Sequence, residues 1–241
     1  MDTTARKAAA PNPSRRGVLR AGAALAAGGA VTLLAAAPSQ AAWPTLRKGA
    51  SGQHIYALQQ FLAQRSYWCG TPDGHFGALT EQAVFALQKA RGLTRDAIVG
   101  QQTLKALADR ALPPILDQGA GTRVVVDLER QLLTVLSDGL LQLTLNTSTG
   151  NGEPYDWYGR ELDAHTPTGA YEVFSTYSAG WQTGPLGDLY RPQYFNGGIA
   201  VHGSEFIPPY PDSHGCCRVS VPAMDMLWEG VMTTGTPVRV V

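Results

Sequence analysis

Residues 199–219 read IAVHGSEFIPPYPDSHGCCRV, and the rest of the chain is best understood from this stretch outward. The apolar run Ile199-Ala200-Val201 has the character of a short buried strand and delivers His202 at its end. Thirteen residues, several of them proline, then lead to Cys216 through Ser213-His214-Gly215. A turn-rich crossing of this kind can fold back and set His202 beside the sulfur. That pairing would supply a thiol nucleophile and a base, with the backbone N–H groups of Gly215, Cys216 and Cys217 as candidate oxyanion donors. Gly215 lacks a side chain and lets a reacting carbonyl approach the backbone. A neighbouring imidazolium would lower the thiol pKa and favour the thiolate. Spacing alone leaves open a structural cysteine with two incidental histidines.

The wider composition is that of a globular protein, with 241 residues, 44% hydrophobic and 16% charged. Lysine plus arginine and aspartate plus glutamate number 19 each. Five of the basic residues (Arg6, Lys7, Arg15, Arg16, Arg20) and one of the acidic (Asp2) lie in the first 20 positions, so the remainder carries a formal charge of −4. A mildly acidic body without a basic tract argues against nucleic acid as a partner. Ser14-Arg15-Arg16-Gly17-Val18-Leu19-Arg20 sets a twin arginine ahead of the weakly apolar run Ala21–Ala37, and Ser39-Gln40-Ala41 supplies small residues for cleavage. Residues 1–42 therefore read as a twin-arginine export signal, which implies action in the cell wall or outside the cell. The run is too short and too rich in alanine and glycine to span a membrane, so no stable span is expected after cleavage.

Residues 43–110 carry a helical pattern. Ile55, Leu58 and Leu62 share one face over 52–64; a second helix is expected from Thr80 as N-cap, burying Ala83, Val84 and Leu87, and a third over 102–108. Residues 111–121 read as a linker or domain edge. Strand signals occupy 122–241: Arg123–Leu128, Gln131–Leu136 and Leu140–Leu145, the last two joined by the hairpin signal Asp138-Gly139, and later Ala170–Ser175 and Pro237–Val241. Loops are expected over 147–163 and around Trp181 and Tyr190, and Ser220 is placed to cap one helix running to Trp228. The fold class is thus a small all-α three-helix domain followed by a mainly β, sandwich- or barrel-like domain. No βαβ rhythm points to a doubly wound sheet. Three cysteines cannot all pair within one molecule; Cys69 with Cys217, Cys69 with Cys216, or no bridge remain possible. Cys217 is alternatively a core-filling residue.

Two resemblances sharpen this reading. Asp73-Gly74-His75-Phe76-Gly77, with Thr80, Ala83, Val84, Leu87-Gln88, Gly92-Leu93, Val99-Gly100 and Thr103, resembles the three-helix peptidoglycan-binding domain; Leu87 stands where that family usually has phenylalanine. His202-Gly203-Ser204 followed by Ser213-His214-Gly215-Cys216-Cys217-Arg218-Val219 resembles the signature of the L,D-transpeptidase catalytic domain, with Cys217 in place of the usual valine or isoleucine. The resemblance implies Cys216 as nucleophile and His202 as its base. Ser213 and His214 would orient the base and shape the pocket, and Gly215, Cys216 and Cys217 would form the oxyanion hole. Arg218, Gly203, Ser204 and the upstream Tyr194, Phe195 and Asn196 would contact substrate. The implied reaction takes a peptidoglycan stem tetrapeptide as donor, releases D-alanine, and joins the acyl group to a second stem, giving a cross-link between third residues. Hydrolysis of the same thioester, an L,D-carboxypeptidase activity, is the alternative. Peptidoglycan stems and glycan are the implied partners, carbapenem-type β-lactams the implied acylating inhibitors, and no cofactor is required. A zinc peptidase or amidase is disfavoured because the five histidines form no HExxH motif or close ligand cluster. A non-catalytic wall-binding protein would leave the histidine-cysteine set without a purpose.

Overall fold

A computed structural model describes residues 43–109 and 112–241. The export signal read over 1–42 lies outside the described residues. Residues 42–241 form one compact unit. Among the described residues no helix is long and apolar enough to cross a membrane.

Helices α1 (Gln53–Gln64), α2 (Ala78–Ala90) and α3 (Gln101–Ala108) enclose a core of Ile55, Leu58, Leu62, Phe76, Val84, Leu87 and Val99. The second helix starts earlier than the Thr80 cap predicts, with Gly77 at its N-cap. Thr80 is instead buried, and its hydroxyl accepts from the Gln59 amide at 2.9 Å. Gln59 is the hub of a motif that occurs twice. Its Nε2 donates to Asp73 Oδ1, the His75 carbonyl and Thr80, while its Oε1 accepts from the N–H groups of Asp73 and Gly74. Gln88 repeats each contact with Asp96, the Ile98 carbonyl, Thr103 and the N–H groups of Asp96 and Ala97. Each buried amide thereby closes one turn that leads into a helix, which is how so small a core satisfies its polar backbone.

The β region contains two principal sheets. The first has the order β3-β2-β1-β12-β6, built from β1 (Thr122–Asp127), β2 (Leu132–Ser137), β3 (Leu140–Asn146), β6 (Gly169–Glu172) and β12 (Pro237–Val240). All its pairs are antiparallel except β1 with β12. The β2–β3 turn has Asp138 and Gly139 at φ of 52° and 74°, the left-handed backbone that a two-residue hairpin needs. The second sheet has the order β11-β10-β9-β7, from β7 (Ser175–Thr176), β9 (Gly187–Asn196), β10 (Ile199–Ser204) and β11 (Cys217–Ser220), with β8 (Trp181–Gly184) also on β9. Here β10 and β11 are parallel. A core of Val124, Val126, Leu133, Val135, Phe195, Val201, Cys217, Val219, Met224 and Leu227 lies between the sheets and α4 (Val221–Gly230). The Ser220 hydroxyl caps α4 by accepting from the Ala223 N–H at 3.3 Å.

Two expected loops are hairpins. Residues 147–163 contain β4 (Pro154–Trp157) and β5 (Arg160–Asp163), and the stretch around Trp181 and Tyr190 is the β8–β9 hairpin. Between the helices and β1, residues 112–121 form no helix or strand.

Candidate active site

Strand alternation separates the two adjacent cysteines. Val201 and Cys217 are register partners on β10 and β11 and both are fully buried in the core. The next pair, His202 and Arg218, faces the other way and lines a cavity of about 770 Å³ together with Cys216, which immediately precedes β11. Cys69, Cys216 and Cys217 are all free thiols, so none of the bridges left open by counting is formed. Cys69 lies in the helical core and Cys217 in the β core. Burial raises both of their pKa values, that of Cys69 to about 11.

The cavity lies between the two unexpected hairpins. Tyr155, Trp157, Leu162 and Asp163 come from β4–β5, and Leu186, Gly187, Asp188 and Leu189 from β8–β9. The edge of Tyr155 meets the His214 ring at a centroid distance of 4.9 Å. Ser204, Asp212, Ser213, His214 and Arg218 also line the cavity. Phe195 does not: it is 3% exposed and packs against Tyr171. Tyr194 lies near enough for the Cys216 charge to raise its pKa further beyond the effect of burial, and its hydroxyl donates to Gln182 at 2.9 Å. Asn196 ends β9 without lining the cavity, and Gly203 is buried behind it.

His202 is 4% exposed, and its Nδ1 lies 2.9 Å from the Gly203 carbonyl. A carbonyl can only accept, so Nδ1 carries the proton and Nε2 of the neutral ring is left with its lone pair. The contact that holds the ring is made by the Gly203 carbonyl. A side chain at Gly203 would press on Tyr190 and Met224, which explains glycine there. Burial, supplemented by the Arg218 charge, pulls the His202 pKa down to about 4. Burial also raises the Cys216 pKa, opposed by the Ala200 N–H and the Arg218 charge. Burial thus disfavours the charged form of each group, which works against the expected imidazolium-stabilised thiolate.

The turn carrying Cys216 is held by two hydroxyls. Ser213 Oγ donates to the Cys216 carbonyl at 2.6 Å and accepts from the Gly215 N–H at 3.0 Å. Thr166 Oγ1 donates to the Gly215 carbonyl at 2.7 Å and accepts from the Gly150 N–H at 2.9 Å. Gly215 adopts φ 137°, and a Cβ there would sit 2.9 Å from the His165 carbonyl oxygen. With its N–H spent on Ser213, Gly215 has no donor to offer an oxyanion. The Cys216 N–H makes no hydrogen bond among the described residues and stands antiparallel to the carbonyl that Thr166 holds. Arg218 forms a 2.7 Å ion pair with Asp212 at the cavity wall. Thr166 was invisible to sequence reasoning, since a threonine 50 positions before the cysteine carries no local signal. Among the described residues no group of three or more His, Cys, Asp or Glu side chains is arranged to hold a metal ion.

A cavity that holds a histidine and a cysteine between two hairpins is a candidate active site, and comparison with known proteins gives its family. Residues 121–240 match the L,D-transpeptidase catalytic domain and residues 51–107 a putative peptidoglycan binding domain. The crystal structure of an L,D-transpeptidase from Xylanimonas cellulosilytica is 43% identical with a TM-score of 0.79, over 83% of this chain and 98% of that one. This chain belongs to the L,D-transpeptidase family. Shorter similarities reach N-acetylmuramoyl-L-alanine amidases: CwlM of Mycobacterium tuberculosis, 38% identical over 56 residues, and CwlL of Bacillus licheniformis, 45% identical over 65 residues. Those matches cover 23% and 26% of this chain and only 14% and 18% of the two amidases.

Proposed function

We propose that this protein is a cysteine acyltransferase that forms cross-links between third residues of peptidoglycan stems. The observation that carries the reading is the pairing of His202 on β10 with Cys216, the residue before the neighbouring β11: both line one cavity, and His202 has its free nitrogen prepared by the Gly203 carbonyl. As the sulfur attacks the carbonyl that follows the diamino acid of a tetrapeptide donor, His202 Nε2 takes the thiol proton. The oxyanion meets the Cys216 N–H. Collapse breaks the peptide bond, and the leaving D-alanine amine takes the proton from His202. The side-chain amine of a second stem then attacks the thioester, His202 accepts its proton, and the thiol is regenerated. No external energy source is needed, because the donor peptide bond is exchanged for another. The cell wall is the proposed place of action, and a carbapenem, whose strained amide accepts the same nucleophile, is the proposed acylating inhibitor.

The experiment is intact mass spectrometry of the mature protein with a disaccharide-tetrapeptide, with and without a diamino acceptor. An adduct on Cys216 that releases D-alanine and passes to the amine is expected; Cys216→Ala should form none while keeping its circular dichroism. Turnover retained by Cys216→Ala would remove the nucleophile assignment. An adduct resolved only by water would make the enzyme a carboxypeptidase.

A further inference from the structure

The helical segment reaches the catalytic turn through hydrogen bonds that a tethered binding module would not need. Lys89 of α2 is 2% exposed, and its Nζ donates to the carbonyls of Gln131 and Thr147, at 2.9 Å each, and to Asn146 Oδ1. All three acceptors belong to the β region. Asn146 Nδ2 in turn donates to Gln82 Oε1 of α2 at 2.6 Å and to the Ile207 carbonyl at 3.3 Å. Ile207 also receives Gln82 Nε2 at 3.3 Å, and the Pro209 carbonyl receives Arg95 Nη1 at 3.1 Å. Ile207 and Pro209 lie in the loop that joins His202 to Cys216.

The same strip continues to the site. Thr147 Oγ1 donates to the Arg218 carbonyl at 2.8 Å, and Ser148 Oγ to the Tyr210 carbonyl at 2.8 Å. The Thr149 carbonyl accepts from the N–H groups of Asp212 and Ser213 at 3.0 and 2.9 Å, and Gln131 holds the Thr149 hydroxyl at 2.7 Å. Ser213 clamps the Cys216 turn, and Asp212 pairs with Arg218. A short series of bonds therefore runs from α2 to Asp212, Ser213 and Arg218 of the cavity lining.

We propose that the helical segment is a working part of the catalytic pocket, with Lys89, Gln82 and Arg95 as positioning residues that hold strip 146–149 and loop 205–213 in register with Cys216. This inference rests on the acyl-transfer reading for what the pocket does. Lys89 has no carboxylate in its shell, an unusual arrangement for a buried cation. Burial and the Arg95 charge pull its pKa down to about 6, and the three oxygens counter that pull, because only the ammonium form can give each of them a proton. Such a knot is costly unless every member is in place, so it specifies one arrangement of the two regions.

The test uses the full mature chain in two forms, Lys89→Met and the half-buried pair Gln82→Ala with Arg95→Ala. Three quantities are read: amide exchange across 146–149 and 205–213, kcat and KM for D-alanine release, and the rate of Cys216 alkylation by iodoacetamide, which needs no pocket. The proposal expects exchange in both segments to rise and kcat/KM to fall on the order of tenfold or more, as displacements of about 1 Å can do. Alkylation should stay within about twofold, which separates pocket geometry from thiol chemistry. The double variant keeps the test sound if Lys89→Met fails to fold. Unchanged exchange across 205–213 overturns the proposal, as does raised exchange with unaltered kcat/KM. A wild-type protein that shows the exchange contrast but releases no D-alanine defeats the acyl-transfer reading, while the support of the loop by α2 stands on the exchange alone.

Discussion

At the scale of the residue, the site is governed by dehydration. His202 has a pKa lowered to about 4 against an ordinary imidazole near 6.5, and Cys216 is raised above the ordinary thiol. Burial disfavours the charged form of both groups, so on the proposed acyl-transfer reading proton transfer accompanies attack rather than preceding it. For a base whose folded-state pKa is depressed, the unfolded chain binds the extra proton first, and stability is lost as pH falls from about 6.5 to about 4. That difference corresponds to roughly 3 kcal/mol. Acylation should accordingly hold steady down to mildly acidic pH and fall as pH drops through about 4, while iodoacetamide alkylation of Cys216 should climb only on the alkaline side. A pH profile of both rates measures this; an alkylation plateau reached near pH 6 would establish a preformed ion pair and refute the neutral one. The candidate pair was named from the sequence because His202 and Cys216 lie close along the chain, each beside a glycine. The burial that shifts their titration was not legible, since it is created by elements distant in sequence.

Elements show the same division between local and distant signals. Helices α1 and α3 and strands β1, β2 and β3 were legible within a residue or two, because apolar periodicity and the Asp138-Gly139 turn are written locally, while the N-cap of α2 is Gly77, three residues before the expected Thr80. The β4–β5 and β8–β9 hairpins were not. Strands β4 and β5 are four residues each and at most half-buried, so they lack the apolar run that marks a buried strand. These hairpins nonetheless form cavity walls, so that part of the cavity was the least readable. The Cys216 turn also depends on a distant element, the segment entering β6 that carries Thr166. Thr166→Val would keep the shape but leave the Gly215 carbonyl and Gly150 N–H unpaired in a buried place. The expected result is a loss of about 1–3 kcal/mol in unfolding free energy and a fall in kcat on the order of 10- to 100-fold, with Thr166→Ser recovering most of both. Full activity in Thr166→Val, measured by D-alanine release, would show that Ser213 alone fixes the turn.

At the scale of the whole molecule, the two regions matched by different families share their interiors. Leu132 of β2 packs in the helical core, and Trp68, from the turn after α1, packs against the β core. Between them the main chain of Ser66 and Trp68 pairs with Thr144: the Thr144 N–H donates to the Ser66 carbonyl at 2.6 Å and the Trp68 N–H to the Thr144 carbonyl at 3.1 Å. This bridge covers the outer edge of β3, which would otherwise end the first sheet with unpaired backbone groups. The linker reading of 111–121 invites the picture of a wall-binding module on a leash, raising local concentration at a polymer. Shared cores and a covered edge argue for cooperation instead, because unfolding the helices would expose Leu132, strand β3 and the Lys89 oxygens together. Calorimetry of the mature chain should therefore give one transition whose calorimetric and van't Hoff enthalpies agree. Lys89→Met should move that single transition to lower temperature without splitting it, since the residue belongs to both regions. Two resolved transitions in the wild-type chain would mean that the helices melt on their own and that their contacts with the β region add little to either stability.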